Sequence, residues 1–116
     1  MSRSDAEKRG RRGEAIAAWF LRLQGWRIVA ERVKTPRGEV DLIARRGKTV
    51  AFVEVKARTK AVDLATAIDA YRLRRVAAAA EILLPKYGKG TENMQIDVIL
   101  VAPWRWPHHL PNVWHG

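Results

Sequence analysis

The sequence predicts a single α/β domain, a mixed sheet flanked by helices, in the order helix, strand, strand, strand, helix, strand. Three observations carry that expectation. Three stretches of strand-like apolar and polar alternation follow one another across short turn signals. A long alanine-rich helical stretch then separates the third strand from a fourth, and such a crossover sets those two strands parallel with right-handed connectivity. The chain has 116 residues, 47% of them apolar, which suits one packed core of ordinary domain size.

The elements follow in order. Met1 to Arg12 is charged along its length and reads as a flexible basic arm. From Gly13 the pattern turns helical, with Glu14, Ala17, Ala18 and Leu21 on one stripe that faces the body of the protein. Gly25 supplies the stop. Trp26 to Val33 alternates, Trp26, Ile28 and Ala30 against Arg27, Val29 and Glu31, and reads as the first strand. Lys34 to Gly38 is a turn, and Glu39 to Arg45 and Thr49 to Ala57 are the next two strands. A two-residue turn at Gly47-Lys48 suits type II′, with glycine in its first position. That turn sets Arg46 opposite Thr49 and so fixes the register of the hairpin. The long helix is expected over Asp63 to Leu84, ended by Pro85, with Ile68, Val76, Ala79 and Leu83 along its packing stripe. Met94 to Ala102 is the last strand. The folded domain is thus expected over 13–102, followed by a tail, 103–116, rich in Trp and Pro and packed on the domain.

Composition narrows the partners. There is no cysteine, which excludes a disulfide framework and the common zinc-finger patterns. No apolar run approaches a membrane span and the N-terminal residues lack the apolar core of a secretory signal, so the expectation is a soluble, cytoplasmic protein without a membrane role. Lys and Arg number 22 against 12 acids, a net charge of +10 that suits a polyanion such as nucleic acid.

The candidate chemistry lies in the second hairpin. Glu54 and Lys56 share one face of their strand because side chains alternate with period two. The register set by Arg46 and Thr49, carried back along the hairpin, places Asp41 opposite Glu54. Directly opposed acids repel unless a cation lies between them. Mg²⁺, which takes one or two carboxylates and completes its octahedron with water and phosphate oxygens, meets that need. Both acids interrupt apolar strands, Val50-Ala51-Phe52-Val53-Glu54-Val55 and Val40-Asp41-Leu42-Ile43, and such breaks in pattern concentrate at functional sites. Against this stands the plainer reading of solvated strand faces, and for Glu14 that of an acid complementing a helix dipole.

Several runs then match a known family in order and spacing: Gly10-Arg11-Arg12-Gly13-Glu14 with Ala17 and Leu21, Gly25-Trp26, Gly38-Glu39-Val40-Asp41-Leu42-Ile43-Ala44, Phe52-Val53-Glu54-Val55-Lys56-Ala57-Arg58, and Ile96-Asp97-Val98-Ile99. Through these, the chain resembles the YraN-like family of bacterial proteins, assigned to the restriction-endonuclease-like superfamily and similar to archaeal Holliday junction resolvases. The resemblance implies a restriction-endonuclease-like core with a PD-(D/E)xK-type site. In it Asp41 and Glu54 would be metal ligands for Mg²⁺ or Mn²⁺, Lys56 the catalytic lysine, and Glu14 the additional helix carboxylate. Glu39, on the face of Asp41, would assist. The chain departs from the family where Ala61-Val62-Asp63 replaces a Phe/Tyr-Gly pair, where Arg72 replaces a lysine and where Gln95 replaces an arginine.

Arg58, Lys60, Arg72 and Arg75 are the candidate DNA-binding residues, with Arg74 beside them; a solvated helix face is the rival reading for each. Trp104, Trp106 and Trp114 are read as covering a core or filling a subunit interface in preference to stacking on bases. His108, His109 and His115 are read as tail residues without a ligand role. Gly88-Lys89-Gly90-Thr91 lacks the upstream glycine of a phosphate loop. The expected function is metal-dependent DNA endonuclease, acting on branched or structured DNA, with a homodimer as the natural way to cut two strands symmetrically. The alternative is a non-catalytic nucleic-acid-binding or scaffolding protein that keeps the nuclease fold.

Overall fold

The structure, a computed structural model, describes residues 3–58 and 68–115. Helix α1 (Arg3–Leu23) precedes three strands, β1 (Arg27–Thr35), β2 (Gly38–Arg46) and β3 (Thr49–Ala57), and helix α2 (Ala70–Tyr87) leads to β4 (Asn93–Val101) and β5 (His108–Leu110). The sheet runs β1-β2-β3-β4-β5, antiparallel except for the parallel β3–β4 pair that flanks the α2 crossover. This is the mixed, helix-flanked α/β sheet read from the sequence, with a fifth strand added from the tail.

Helix boundaries differ from the expected ones for identifiable reasons. α1 begins at Arg3, within the segment expected to be a flexible arm, because neither Gly10 nor Gly13 takes a positive φ and the turns before them are built of helix-forming residues. It ends in a Schellman arrangement, with Trp26 N–H on Leu21 O and Gly25 N–H on Arg22 O, both at 3.0 Å. α2 starts at Ala70, not at Asp63, with Asp69 as its N-cap accepting from the Tyr71 and Arg72 N–H groups. Residues 63–67 lie outside the described part, and Ile68, expected on the packing stripe, is exposed ahead of the cap. Pro85 does not end α2. It sits in the last turn, where the lost bond to Glu81 and the crowding of that carbonyl affect only the helix end, and the Gly88 N–H closes the helix on Leu84 O at 2.8 Å.

Among the described residues, one helix covers each sheet face. Ala17, Ala18 and Leu21 of α1 pack on Leu42, Ala44, Ala51, Val53 and Ile99. On the other face Leu73, Val76 and Ala80 of α2 pack on Ile43, Val50, Phe52, Ile96 and Val98. The second hairpin has the expected register, from Arg46↔Thr49 to Leu42↔Val53, and Gly47 alone of the two turn residues has a positive φ, 57°, as type II′ requires.

β5 joins the sheet through Val98↔Leu110 to Leu100↔His108, and beyond it Val113 and Trp114 pack on the α2-side core. His109 is not a free tail residue: its ring meets the fully buried Asp97 carboxylate at 2.7 Å. Trp104 and Trp106 cover no core, being 102% and 73% exposed. Among the described residues no helix is long and apolar enough to cross a membrane.

Candidate active site

The hairpin register stops at Leu42↔Val53, one step short of the expected Asp41–Glu54 opposition. The alternation of an antiparallel ladder would next give the Val55 N–H to the backbone of Val40. Instead the Asp41 carboxylate takes it, Oδ2 accepting at 2.8 Å. On its other side β2 keeps register with β1 at Glu31↔Leu42 and Val33↔Val40, but the pair between them, Arg32 opposite Asp41, is missing from the ladder. Arg32 has φ 51°, a left-handed backbone that non-glycine residues adopt only when their surroundings fix it. The two strands are therefore distorted at the same level. One consequence is that Val40 packs with Ile43, Val50 and Phe52 on the α2 face, although strict alternation would send it to the face of Leu42.

The splayed strands open a cleft of about 400 Å³ lined by Asp41, Glu54, Glu39 and Lys34 from the sheet and by Tyr71, Arg72 and Arg75 from α2. Gly38 lets α2 close over it: a Cβ at that position would stand 2.5 Å from the Arg75 carbonyl oxygen. Glu54 is 2% exposed. Its Oε1 accepts from Arg72 Nε, while Oε2 is buried and has no hydrogen-bond partner. A buried carboxylate oxygen without a donor is costly and rare. It marks a place where a cation or a donor from outside the chain would be stabilised.

Of the remaining sequence candidates, Glu14 stands on α1, in the opposite layer, and is not among the cleft-lining residues. Arg32 Nε donates to its Oε1 at 2.7 Å, and its charge is felt at Asp41. Lys56 is buried on β3, two residues beyond Glu54 on the same face, and is not among the cleft-lining side chains. Arg58 lies exposed at the end of β3, outside the cleft lining, its guanidinium on Ala57 O. Lys60 lies outside the described residues. Arg32 was missed from sequence. Applying the pairing rule to the first hairpin, from Thr35 opposite Gly38, would have set it across from Asp41.

Burial pushes the Asp41 carboxyl up to about 6; the Val55 N–H opposes that rise, Glu14 and Glu54 reinforce it, and Arg72 opposes it. Raised above its unfolded value near 3.8, Asp41 keeps in the folded state a proton that the unfolded chain gives up, so the folded protein loses stability as pH rises from about 4 to about 6. Asp41→Asn removes that loss while its amide oxygen still accepts from Val55. With divalent ions chelated, the variant should become more stable than wild type by about 3 kcal/mol above pH 7 and match it near pH 4. Thermal melts across that range check this, and a gap that does not change with pH would contradict it.

Comparison with known proteins now adds relatives. The family model described as "Uncharacterised protein family UPF0102" matches residues 13–101. A UPF0102 protein of Rhizorhabdus wittichii is 74% identical over 114 residues, covering 98% of this chain and 97% of the relative. One of Sphingopyxis alaskensis is 61% identical, covering 98% of each. Among solved structures, Hjc of Archaeoglobus fulgidus, a Holliday junction resolvase from an archaeal hyperthermophile, superposes with a TM-score of 0.59 at 22% identity over 86% of this chain and 73% of that one. At that identity the likeness is one of fold.

Proposed function

The chain belongs to the uncharacterised protein family UPF0102, and we propose that it is a divalent-metal-dependent endonuclease for DNA, with branched or structured DNA as the preferred substrate. The observation that carries this reading is the pairing of a buried, unpartnered Glu54 oxygen with a half-buried Asp41 in one cleft overhung by arginines. The fold it shares with a Holliday junction resolvase supports the same reading.

Among the described residues no three His, Cys, Asp or Glu side chains form a cage of their own for a metal ion. Mg²⁺ does not ask for one, since one or two carboxylates suffice when water and substrate phosphate complete the shell. Asp41 and Glu54 fit that donor set, with Glu14 as an additional carboxylate, and Mn²⁺ would be held by the same oxygens. When bound, the ion supplies charge neutralisation on the phosphate and a more acidic water.

The chain's own residues do the rest. Arg72 and Arg75 face the cleft and bind phosphate oxygens, and Lys34 adds charge on the β1 side. Arg72 holds Glu54 in the free protein, so an arriving phosphate competes for the guanidinium and releases the carboxylate. Lys56, buried behind Glu54 on the same strand face, contributes positive charge that favours the negative charge developing on the phosphate. Glu39, exposed on the cleft rim, helps to place the substrate.

The test is cleavage of labelled four-way-junction, flap, single-stranded and linear duplex DNA by the purified protein with Mg²⁺ or Mn²⁺, and with EDTA. Structure-selective cutting that EDTA stops is expected. Salt-sensitive DNA binding without cutting under any metal would instead support a scaffold that keeps the fold.

A further inference from the structure

We infer that the stacked pair Trp19–Trp106, with Trp104 and Arg105 beside it, is a second binding surface that takes the unpaired nucleobases of a DNA strand. The inference rests on the nucleic-acid part of the reading above and not on catalysis. The surface is separate from the cleft, because Trp19 belongs to α1, which covers the sheet face opposite α2.

The two indoles lie almost parallel, with centroids 5.9 Å apart and planes 7° from each other. Both remain open to solvent, Trp19 at 46% and Trp106 at 73%, so each offers ring surface to a third ring. Trp104 is fully exposed and has φ 61°, in the left-handed region where glycine fits best. Burial is what normally makes a tryptophan stabilise a fold. Here no packing offsets the unfavourable backbone, so the fold itself gains nothing from the indole.

The surroundings select the occupant. Arg105 lies between the two tail tryptophans in sequence and is exposed. On α1, Arg12, Ile16 and Leu23 fall on the stripe of Trp19, Arg22 is one turn on, and all are exposed. Glu14, the acid among the described α1 side chains, turns away to Arg32. Exposed aromatic rings interleaved with cations match single-stranded nucleic acid, whose bases stack while its phosphates pair with the cations. A second copy of this chain would set the same cations against one another.

The experiment titrates the full-length protein with a labelled oligothymidylate of about a dozen nucleotides, reading tryptophan quenching and oligonucleotide anisotropy, with a matched duplex alongside. Wild type should bind the single strand with quenching, and Trp104→Gly and Trp106→Ala should each weaken that binding roughly 5- to 100-fold. Trp106→Phe should restore most of it. Trp104→Gly puts glycine where φ is positive, so its melting temperature should not fall and a loss of binding is not a loss of fold. Single-strand affinity unchanged in both variants would overturn the inference, as would a dimer in sedimentation that Trp106→Ala dissociates. If wild type cuts DNA but shows no tryptophan-dependent strand binding, the inference falls alone; if it binds the strand but cuts nothing, the nuclease reading falls alone.

Discussion

Replacing Asp97 with alanine should cost the fold about 3–5 kcal/mol, enough to lower the melting temperature by roughly 10–20 °C. The carboxylate is fully buried and accepts from the Gln95 side chain at 2.9 and 3.2 Å, from His109 Nε2 at 2.7 Å and from the Asn112 N–H at 2.9 Å. Hydrogen bonds to a charged group are stronger than neutral ones, and alanine would leave three donors without an acceptor. The secondary effect is topological. β5 has only three residues, and Asp97 adds side-chain ties from β4 to that strand and to the following turn beside the short backbone ladder. Amide exchange in β5 should therefore rise more than exchange in β2. Asp97→Asn keeps two acceptor sites and should lose less. A change below about 1 kcal/mol for Asp97→Ala would mean that the tail is held by its apolar contacts alone.

Glu54→Ala should reduce DNA cleavage on the order of a thousandfold, since the lost carboxylate would account for several kcal/mol of transition-state stabilisation. The same substitution frees the Arg72 guanidinium, which is 56% exposed in the free protein, so binding to uncut DNA should hold or tighten. Loss of turnover with retained or improved binding separates a catalytic carboxylate from a structural one. Glu54→Gln gives the control for packing, because it keeps the shape and an acceptor for Arg72. Cleavage by Glu54→Ala within a few fold of wild type would remove this carboxylate from the chemistry.

Parts of this arrangement were legible in the sequence because they depend on period and turn length. The β2–β3 register follows from a two-residue turn at Gly47-Lys48, and it holds as far as Leu42↔Val53. The helix limits were less legible: Asp63 and Asp69 are both plausible caps, and Pro85 is compatible with a last turn as well as with an end. The candidate site was found from acids that interrupt apolar strands. That rule does not distinguish Glu54 from Asp97, which interrupts Ile96-Asp97-Val98 in the same way, because two of the three groups that satisfy Asp97, His109 and Asn112, arrive from a tail more than ten residues on. The register of the first hairpin would have placed Arg32 across from Asp41, but its backbone φ of 51° has no local sign in the sequence.

The distortion shared by Arg32 and Asp41 lies where side chains from three layers come near one another. Glu14 comes from the α1 layer, Arg72 and Arg75 from the α2 layer, and Asp41 and Glu54 from the sheet between them. Neither half of the molecule contains the full set. Without α2 the cleft has no arginine wall, and without α1 Arg32 loses its Glu14 partner. The candidate site is thus a property of the complete domain, not of any one of its elements.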